Sequence, residues 1–239
     1  MAENDKLPGN SQYLRNIQFL GHATFQISGS SIIYTDPYDL SGYQFLKEAD
    51  IILVTHSHFD HCSVDDIAKI RGDRTIIVAS SDCSEFFKNS EQSDEFLKNS
   101  ESLVAAPGKV ITLSPGEETE VGNVKVRAVP AYNIGKNFHP KENSWNGYLF
   151  DLDGVRYYHP GDSDKVPEMD SITADVIFLP VGGTYTMDAR EACEVANRIN
   201  PKVAIPMHYG SVVGSEKDAE DFVRCVGGKG VVLPRKKVQ

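Results

Sequence analysis

The sequence lacks any apolar run near the roughly 20 residues that a membrane-spanning helix requires, so no membrane span is expected. The first residues, Met1 to Lys6, carry acidic groups and no apolar core, so no secretory signal is predicted. Basic residues are also few: 24 Lys and Arg against 34 Asp and Glu give a net charge of −10. Because binding to phosphate-rich surfaces needs basic residues, this balance disfavours nucleic acid and membrane partners. We therefore expect a small-molecule substrate; the sequence does not indicate an oligomeric state.

Motifs for covalent catalysis and for thiol chemistry are absent as well. There is no GxSxG segment and no cysteine with an obvious activating partner, so an acyl-enzyme mechanism is disfavoured, and no CxxC pair occurs. The cysteines are scattered at Cys62, Cys83, Cys193 and Cys225. Cys193 and Cys225 fall on or beside the apolar faces of predicted helices, so we expect buried free thiols in a reducing cytoplasm. Cys62 is expected to fill space rather than bind metal.

Histidine is concentrated in one segment. Residues 55–61, THSHFDH, place His56, His58, Asp60 and His61 directly after the apolar run of residues 51–54. That run predicts a buried strand, and the residues from Ser63 predict a capped helix start, so the donors lie on a strand-to-helix loop. Imidazole and carboxylate groups at this spacing suit one or two divalent ions, with zinc favoured and manganese or iron as alternatives.

This segment resembles the signature of the metallo-β-lactamase superfamily of metal-dependent hydrolases. Further similarities follow in the expected order, and the match runs from about His22 to His208. They are Gly21-His22-Ala23-Thr24, Thr35-Asp36-Pro37, His159-Pro160-Gly161-Asp162 and Pro206-Met207-His208. The branch resembled includes sugar-phosphate lactonases and lipid phosphodiesterases.

The resemblance implies a set of metal ligands. His56 and His58 would bind one ion, Asp60, His61 and His208 the other, and Asp162 would lie between them. The family usually supplies a third histidine for the first ion, but this sequence has Asn133 at that position. Either the amide of Asn133 or the imidazole of His139, six residues further on, would take its place.

Four other residues near these motifs have weaker interpretations. His22 is predicted to lie next to the metal ligands without binding an ion itself. Asp36 is predicted to accept a hydrogen bond from the ring N–H of a ligand histidine. His159 is predicted to be structural, and Trp145 to be a packing residue. Tyr185 and Tyr209 fit either packing or a hydrogen bond to a substrate.

The pattern of predicted strands and helices indicates an α/β chain that forms one domain over residues 1–239. Two strand-rich segments, each followed by helices, favour a four-layer αββα sandwich of two mixed sheets with the helices outside. The polar stretch from Ser80 to Ser102 predicts one or two amphipathic helices that either wall the substrate pocket or form a solvated insertion.

The expected activity is hydrolysis of a small ester, lactone or phosphoester by a metal-bound hydroxide, with Asp60 and Asp162 as the catalytic carboxylates. A phosphodiesterase or nuclease acting on nucleic acid is one alternative. A non-catalytic metal-binding protein of the same fold is another, and Asn133 keeps it open.

Overall fold

The computed structural model of the protein describes residues 11–44, 46–83, 87 and 109–235. In these residues twelve strands form two six-stranded mixed sheets. The predicted helices of the stretch from Ser80 to Ser102 lie mostly outside the described residues.

The first sheet has its strands in chain order. They are β1 (Ile17–Gly21), β2 (Thr24–Ser28), β3 (Ile32–Thr35), β4 (Ala49–Val54), β5 (Arg71–Ala79) and β6 (Lys109–Thr112). β1 to β3 form an antiparallel meander, as the short runs separated by glycines predict. β3 to β6 pair in parallel, so the sheet is mixed.

The second sheet also follows chain order. Its strands are β7 (Glu118–Val121), β8 (Val124–Pro130), β9 (Asn146–Leu152), β10 (Val155–His159), β11 (Val176–Pro180) and β12 (Val203–Met207). β7 to β10 are antiparallel, and β10, β11 and β12 are parallel.

The helices whose two ends lie within the described residues are α1 (Ser11–Leu14), α2 (Val64–Ile70), α3 (Ala189–Ile199) and α4 (Glu216–Val226). Single 3₁₀ turns occur at Lys141–Asn143, Pro167–Ser171 and Gly227–Lys229. A capping box is present at the start of α3: Glu191 N–H donates to Asp188 Oδ1, and Asp188 N–H donates to Glu191 Oε2.

Strand β4 shows why the sheets must be covered on both sides. Ile51 and Leu53 pack in the core between the two sheets, whereas Ile52 and Val54 pack in a second cluster with Ile67 of α2. Side chains alternate between the faces of a strand, so an unbroken apolar run needs a cover on each face. The core cluster also takes in buried residues of α3 and α4. The predicted αββα sandwich is therefore confirmed.

One sequence-based expectation is wrong. Cys193 of α3 and Cys225 of α4 form a disulfide rather than two free thiols. Their Cα atoms are 6.1 Å apart, a separation that a disulfide spans without backbone movement. Cys62 and Cys83 are buried and free, as a packing role requires. The inference of a reducing cytoplasm rested partly on the bridged pair, so the compartment stays a prediction.

No helix of the described residues is both long and apolar enough to span a bilayer.

Candidate metal centre

The fold brings the ends of six strands to one edge of the sandwich. β1, β3 and β4 run in the same direction in the first sheet, and β8, β10 and β12 do so in the second. Backbone hydrogen bonds join the sheets there, from His208 N–H to the His22 carbonyl (2.7 Å) and from Asn146 N–H to the Thr55 carbonyl (3.2 Å). The residues that follow these six strands include His22, Asp36, His56, Asn133, Asp162 and His208.

The loop after β4 turns sharply at His58. Its carbonyl accepts hydrogen bonds from the backbone N–H groups of His61 (3.0 Å) and Cys62 (2.9 Å). This turn brings His61 back towards His56, so that their ring centroids lie 4.2 Å apart. Ser63 then caps α2 by accepting from Asp66 N–H. The predicted strand–loop–helix arrangement is confirmed.

Potential metal ligands form two clusters that share a carboxylate. In each cluster the ligand atoms lie within 4.8 Å of one another. The first contains His56, His58 and His139, and the second contains His22, Asp60, His61 and His208; Asp162 groups with His56 and His61 between them. All the residues predicted as ligands are thus brought together, and His22 joins them.

Asp162 reaches histidines on both sides. Its Oδ2 lies 3.0 Å from His208 Nε2 and 3.3 Å from His139 Nε2, and its Oδ1 lies 3.2 Å from His61 Nε2. Gly161 before it has φ +62° and packs against Thr55, where a Cβ atom would lie 2.9 Å from the Thr55 side chain. A glycine is needed at this position, because both the backbone conformation and the close approach exclude a side chain.

The unsatisfied polar atoms of the clusters fit bound divalent ions. Buried atoms without a hydrogen-bond partner include Nε2 of His56, His61, His139 and His208, together with Oδ1 of Asp162. The short distances to Asp162 therefore lack hydrogen-bond geometry. Buried polar atoms rarely remain unpaired, and imidazole nitrogens beside carboxylate oxygens are ligands that zinc, manganese and iron accept. The donor set therefore fits the metal that the sequence predicts.

Asp36 orients a histidine in each cluster. Its Oδ2 accepts hydrogen bonds from His61 Nδ1 (2.8 Å) and from the Thr55 hydroxyl (2.8 Å), and its Oδ1 accepts from Thr55 N–H (2.8 Å). The Thr55 hydroxyl oxygen lies 2.9 Å from His56 Nδ1 and can accept its proton. Nε2 of His56 is then left with a free lone pair, and Nε2 of His61 is the ring nitrogen that faces the candidate ligands. The role predicted for Asp36 is found, and Thr55 extends it to His56.

Asn133 orients His139. Its Oδ1 accepts from His139 N–H (3.0 Å) and lies 3.1 Å from His139 Nδ1, which is also 3.1 Å from the Tyr185 carbonyl. The amide nitrogen of Asn133 donates to Asp164 Oδ1 (3.1 Å) and to the same carbonyl (2.9 Å). Two acceptors at Nδ1 fix the proton there, so His139 Nε2 faces the cluster as a lone pair. The imidazole of His139, rather than the amide of Asn133, completes the first cluster.

Trp145 has a role that its position in the sequence did not reveal. Its ring centroid lies 4.8 Å from those of both His56 and His58, and 5.4 Å from that of His139. Its Nε1–H donates to Asp82 Oδ2 (2.6 Å), which also accepts from Ser57 N–H (3.3 Å). The indole thus forms a wall against all three histidines of the first cluster. Its proximity to the metal motif arises only from the fold.

The other residues singled out in the sequence have simpler surroundings. His159 is structural as predicted, because its Nε2 donates to the Ala23 carbonyl (3.0 Å) and its Nδ1 accepts from Gly161 N–H (3.2 Å). Tyr209 is buried and stacks on Phe19, so packing explains it.

His56 and His58 of the first cluster are neutral, whereas the second cluster carries charge. Burial lowers the pKa values of His56 and His58, so both imidazoles are unprotonated at neutral pH. Burial would also lower the pKa of His61, but Asp162 and Asp36 outweigh it and raise this pKa well above its usual value. Burial opposes ionisation of Asp162 as well, yet the surrounding histidines hold its pKa well below the usual range.

Asp60 and His22 form a buried pair in the second cluster. Burial lowers the pKa of His22 to about 4, so its ring is neutral at pH 7 and Nε2–H donates to Asp60 Oδ2 at 3.0 Å. Burial would raise the pKa of Asp60, but the hydrogen bond from His22 and the nearby charge of His61 together outweigh it, and the pKa falls to about 2. His22 therefore supports Asp60, in keeping with the position predicted for it.

Comparison with known proteins agrees with this geometry. Residues 16–208 match the model of the beta-lactamase superfamily domain. A metal-dependent hydrolase of Thermococcus onnurineus is 33% identical over 229 residues, covering 91% of this chain and 94% of that protein. One from Pyrococcus furiosus is 34% identical over 230 residues, with the same coverage. A crystal structure described as a metal-dependent hydrolase of Parabacteroides distasonis is 29% identical, with a TM-score of 0.72 and 93% of each chain covered.

The chain belongs to the beta-lactamase superfamily, as its motifs predict. Family membership and these relatives identify it as a metal-dependent hydrolase of the metallo-β-lactamase type.

Proposed function

We propose that this chain hydrolyses a small ester, lactone or phosphoester with one or two divalent ions held in the paired clusters. The observation that carries the proposal is the set of buried, unpartnered imidazole nitrogens on both sides of Asp162. When bound, such ions lower the pKa of water to about 7 and polarise the oxygen of the group under attack.

His56, His58 and His139 would hold one ion, and Asp60, His61 and His208 the other, with Asp162 shared. Zinc is the ion we propose, since imidazole nitrogens dominate the donor set, and manganese and iron remain the alternatives. His22 lies beside Asp60 and supports that group of ligands.

The two carboxylates would orient the attacking water. The depressed pKa values of Asp60 and Asp162 keep both groups ionised at neutral pH, so each can accept a hydrogen bond from water. Thr55 and Asp36 hold the rings of His56 and His61, which fixes the position of the reacting centre. Because Thr55, Asp36, His56 and His61 are buried, bulk water does not reach the side of these rings that faces the protein interior.

The two alternatives make different predictions. A nuclease would have to attract a polyanion to a chain of net charge −10, which makes it the weaker enzymatic candidate. A non-catalytic metal-binding protein would bind ions without turnover. The position of His139, held by Asn133 beside His56 and His58, supports a catalytic function. With His139 in the first cluster, Asn133 does not imply that a ligand is missing.

The test is a metal-dependent activity screen. Zinc- and manganese-loaded protein would be assayed on 4-nitrophenyl acetate, a six-membered lactone, bis(4-nitrophenyl) phosphate and a single-stranded RNA. Asp162→Ala should abolish any activity found. Asp151→Ala, at the far end of β9 in an exposed ion pair with Arg156, is the matched control and should retain it. Stoichiometric metal without turnover on any substrate would favour the non-catalytic protein.

A further inference from the structure

Large hydrophobic side chains are exposed beside the candidate ligands. In the described residues those most exposed are Phe59 (66%), Ile134 (55%), Phe138 (46%), Val212 (38%) and Val232 (38%). The first four adjoin the site in sequence. Phe59 lies between His58 and Asp60, Phe138 precedes His139, Ile134 follows Asn133, and Val212 follows His208 by four positions. A contiguous exposed apolar patch rimmed by polar residues often marks a binding site.

Phe59 belongs to an aromatic pair that continues into the second cluster. Its ring packs edge-on against Tyr38, with the centroids 5.8 Å apart. Tyr38 in turn packs edge-on against His22, at 5.7 Å. The apolar surface at Phe59 therefore extends from solvent to a residue of the metal centre.

Phe138 belongs to a second pair, which borders the first cluster. Its ring packs edge-on against Tyr185 with the centroids 4.7 Å apart. The Tyr185 carbonyl is the group that lies 3.1 Å from His139 Nδ1. One aromatic pair thus adjoins each cluster. We call Tyr38, Phe59, Phe138 and Tyr185 the aromatic rim.

The charged side chains near the rim do not favour binding of an anionic substituent of the substrate. Lys136 lies in the chain between Ile134 and Phe138, but its Nζ contacts Asp164 Oδ1 (2.7 Å) and the Thr186 carbonyl (2.6 Å). Its charge is therefore already paired with a carboxylate. Contact with aromatic rings lowers the free energy of an apolar substituent of the substrate, because it removes apolar surface from water. A phosphate or carboxylate substituent would gain little binding free energy from the same contact.

We propose that the aromatic rim binds an apolar alkyl or aryl group of the substrate while the paired clusters act on its carbonyl group. This inference rests on the proposed function and narrows it to an uncharged ester, lactone or other carbonyl compound with an apolar substituent. Phe59 and Phe138 are the specificity-determining residues, because they are the exposed members of the two pairs.

The test uses hydroxamates, whose head groups chelate active-site metals and whose tails differ only in length. Acetohydroxamate and octanohydroxamate would be titrated into zinc-loaded protein by calorimetry. Each buried methylene is worth about fourfold in affinity, so the longer compound should bind at least about tenfold more tightly. Phe59→Ala and Phe138→Ala should each reduce this preference, the ratio of the two affinities, about fivefold.

Val232→Ala is the matched control. It removes another exposed apolar side chain, two positions after Gly230. Gly230 pairs with Ala204 near the start of β12, whereas the site lies beyond the end of that strand. This variant should keep the full chain-length preference.

Equal affinity for the two hydroxamates would contradict the binding role of the aromatic rim without contradicting the proposed hydrolase function. A preference that survives in both phenylalanine variants would also contradict that binding role. Failure of zinc-loaded protein to bind either hydroxamate, together with no turnover in the substrate screen, would instead overturn the proposed function and the inference with it.

Discussion

Replacing Asp36 by Asn should weaken metal binding with almost no change in side-chain size. The two carboxylate oxygens accept three hydrogen bonds, from His61 Nδ1, the Thr55 hydroxyl and Thr55 N–H, each of 2.8 Å. An amide offers only one oxygen, and its nitrogen donates. Whichever way the amide turns, at least one buried donor loses its acceptor, and the negative charge facing His61 disappears.

The size of the effect follows from these contacts. Loss of the group that orients a ligand histidine costs about 10- to 100-fold in metal affinity, or about 1.4 to 2.7 kcal/mol. A buried donor without an acceptor costs about 1 to 3 kcal/mol of folding stability. The variant should therefore bind zinc about 10- to 100-fold more weakly, and its metal-free form should unfold at lower denaturant.

Zinc affinity would be measured by competition with a chromophoric chelator, and stability by chemical denaturation of the metal-free protein. Asp66→Asn is the matched control, since Asp66 is buried but accepts from the backbone N–H groups of Asp39 (2.8 Å) and Leu40 (3.1 Å). It should lose stability and keep zinc affinity. If Asp36→Asn kept wild-type zinc affinity, control of the ligand tautomers by Asp36 would be refuted.

Three further predictions follow from the same geometry. Asn133→Ala should release the ring of His139 and weaken metal binding at the first cluster about 10- to 100-fold; chelator competition measures the loss, and unchanged affinity would contradict this role of Asn133. Because the pKa of His61 is raised and that of His56 is lowered, metal binding at pH 7 should displace a proton from His61 and none from His56. Affinity at the second cluster should then rise with pH, and calorimetry in buffers of different ionisation enthalpy should detect that proton, whose absence would contradict the assignment. Trp145 is the only tryptophan, so stoichiometric Co²⁺ should quench the intrinsic fluorescence, and unchanged emission would contradict its position beside His56.

The HxHxDH loop was predictable because local rules determine it. An apolar strand, side chains that alternate, and a capped helix start place His56 and His58 on one side without knowledge of the rest of the chain. Asp162 and His208 were located by their resemblance to family motifs at strand ends. The layered fold followed from the same pattern of strands and helices.

Other features depend on contacts between distant segments. Whether Asn133 or His139 is the third ligand of the first cluster depends on the path of the loop between them. The spacing of apolar residues in the sequence does not predict that path. The disulfide depends on the side-by-side packing of α3 and α4, and the spacing of Cys193 and Cys225 does not reveal it. Trp145 reaches the first cluster only because β9 pairs beside β8 and β10.

The central claim is that His139 supplies the ligand that Asn133 cannot, so that the chain holds two ions. Its most direct test is the metal content of protein purified without chelator, compared with that of His139→Ala. The account predicts about two equivalents in the native protein and about one in the variant, with Asp60, His61 and His208 retaining theirs. One equivalent in both proteins would contradict it, and a gain of an equivalent in Asn133→His would then mean that the first cluster is incomplete.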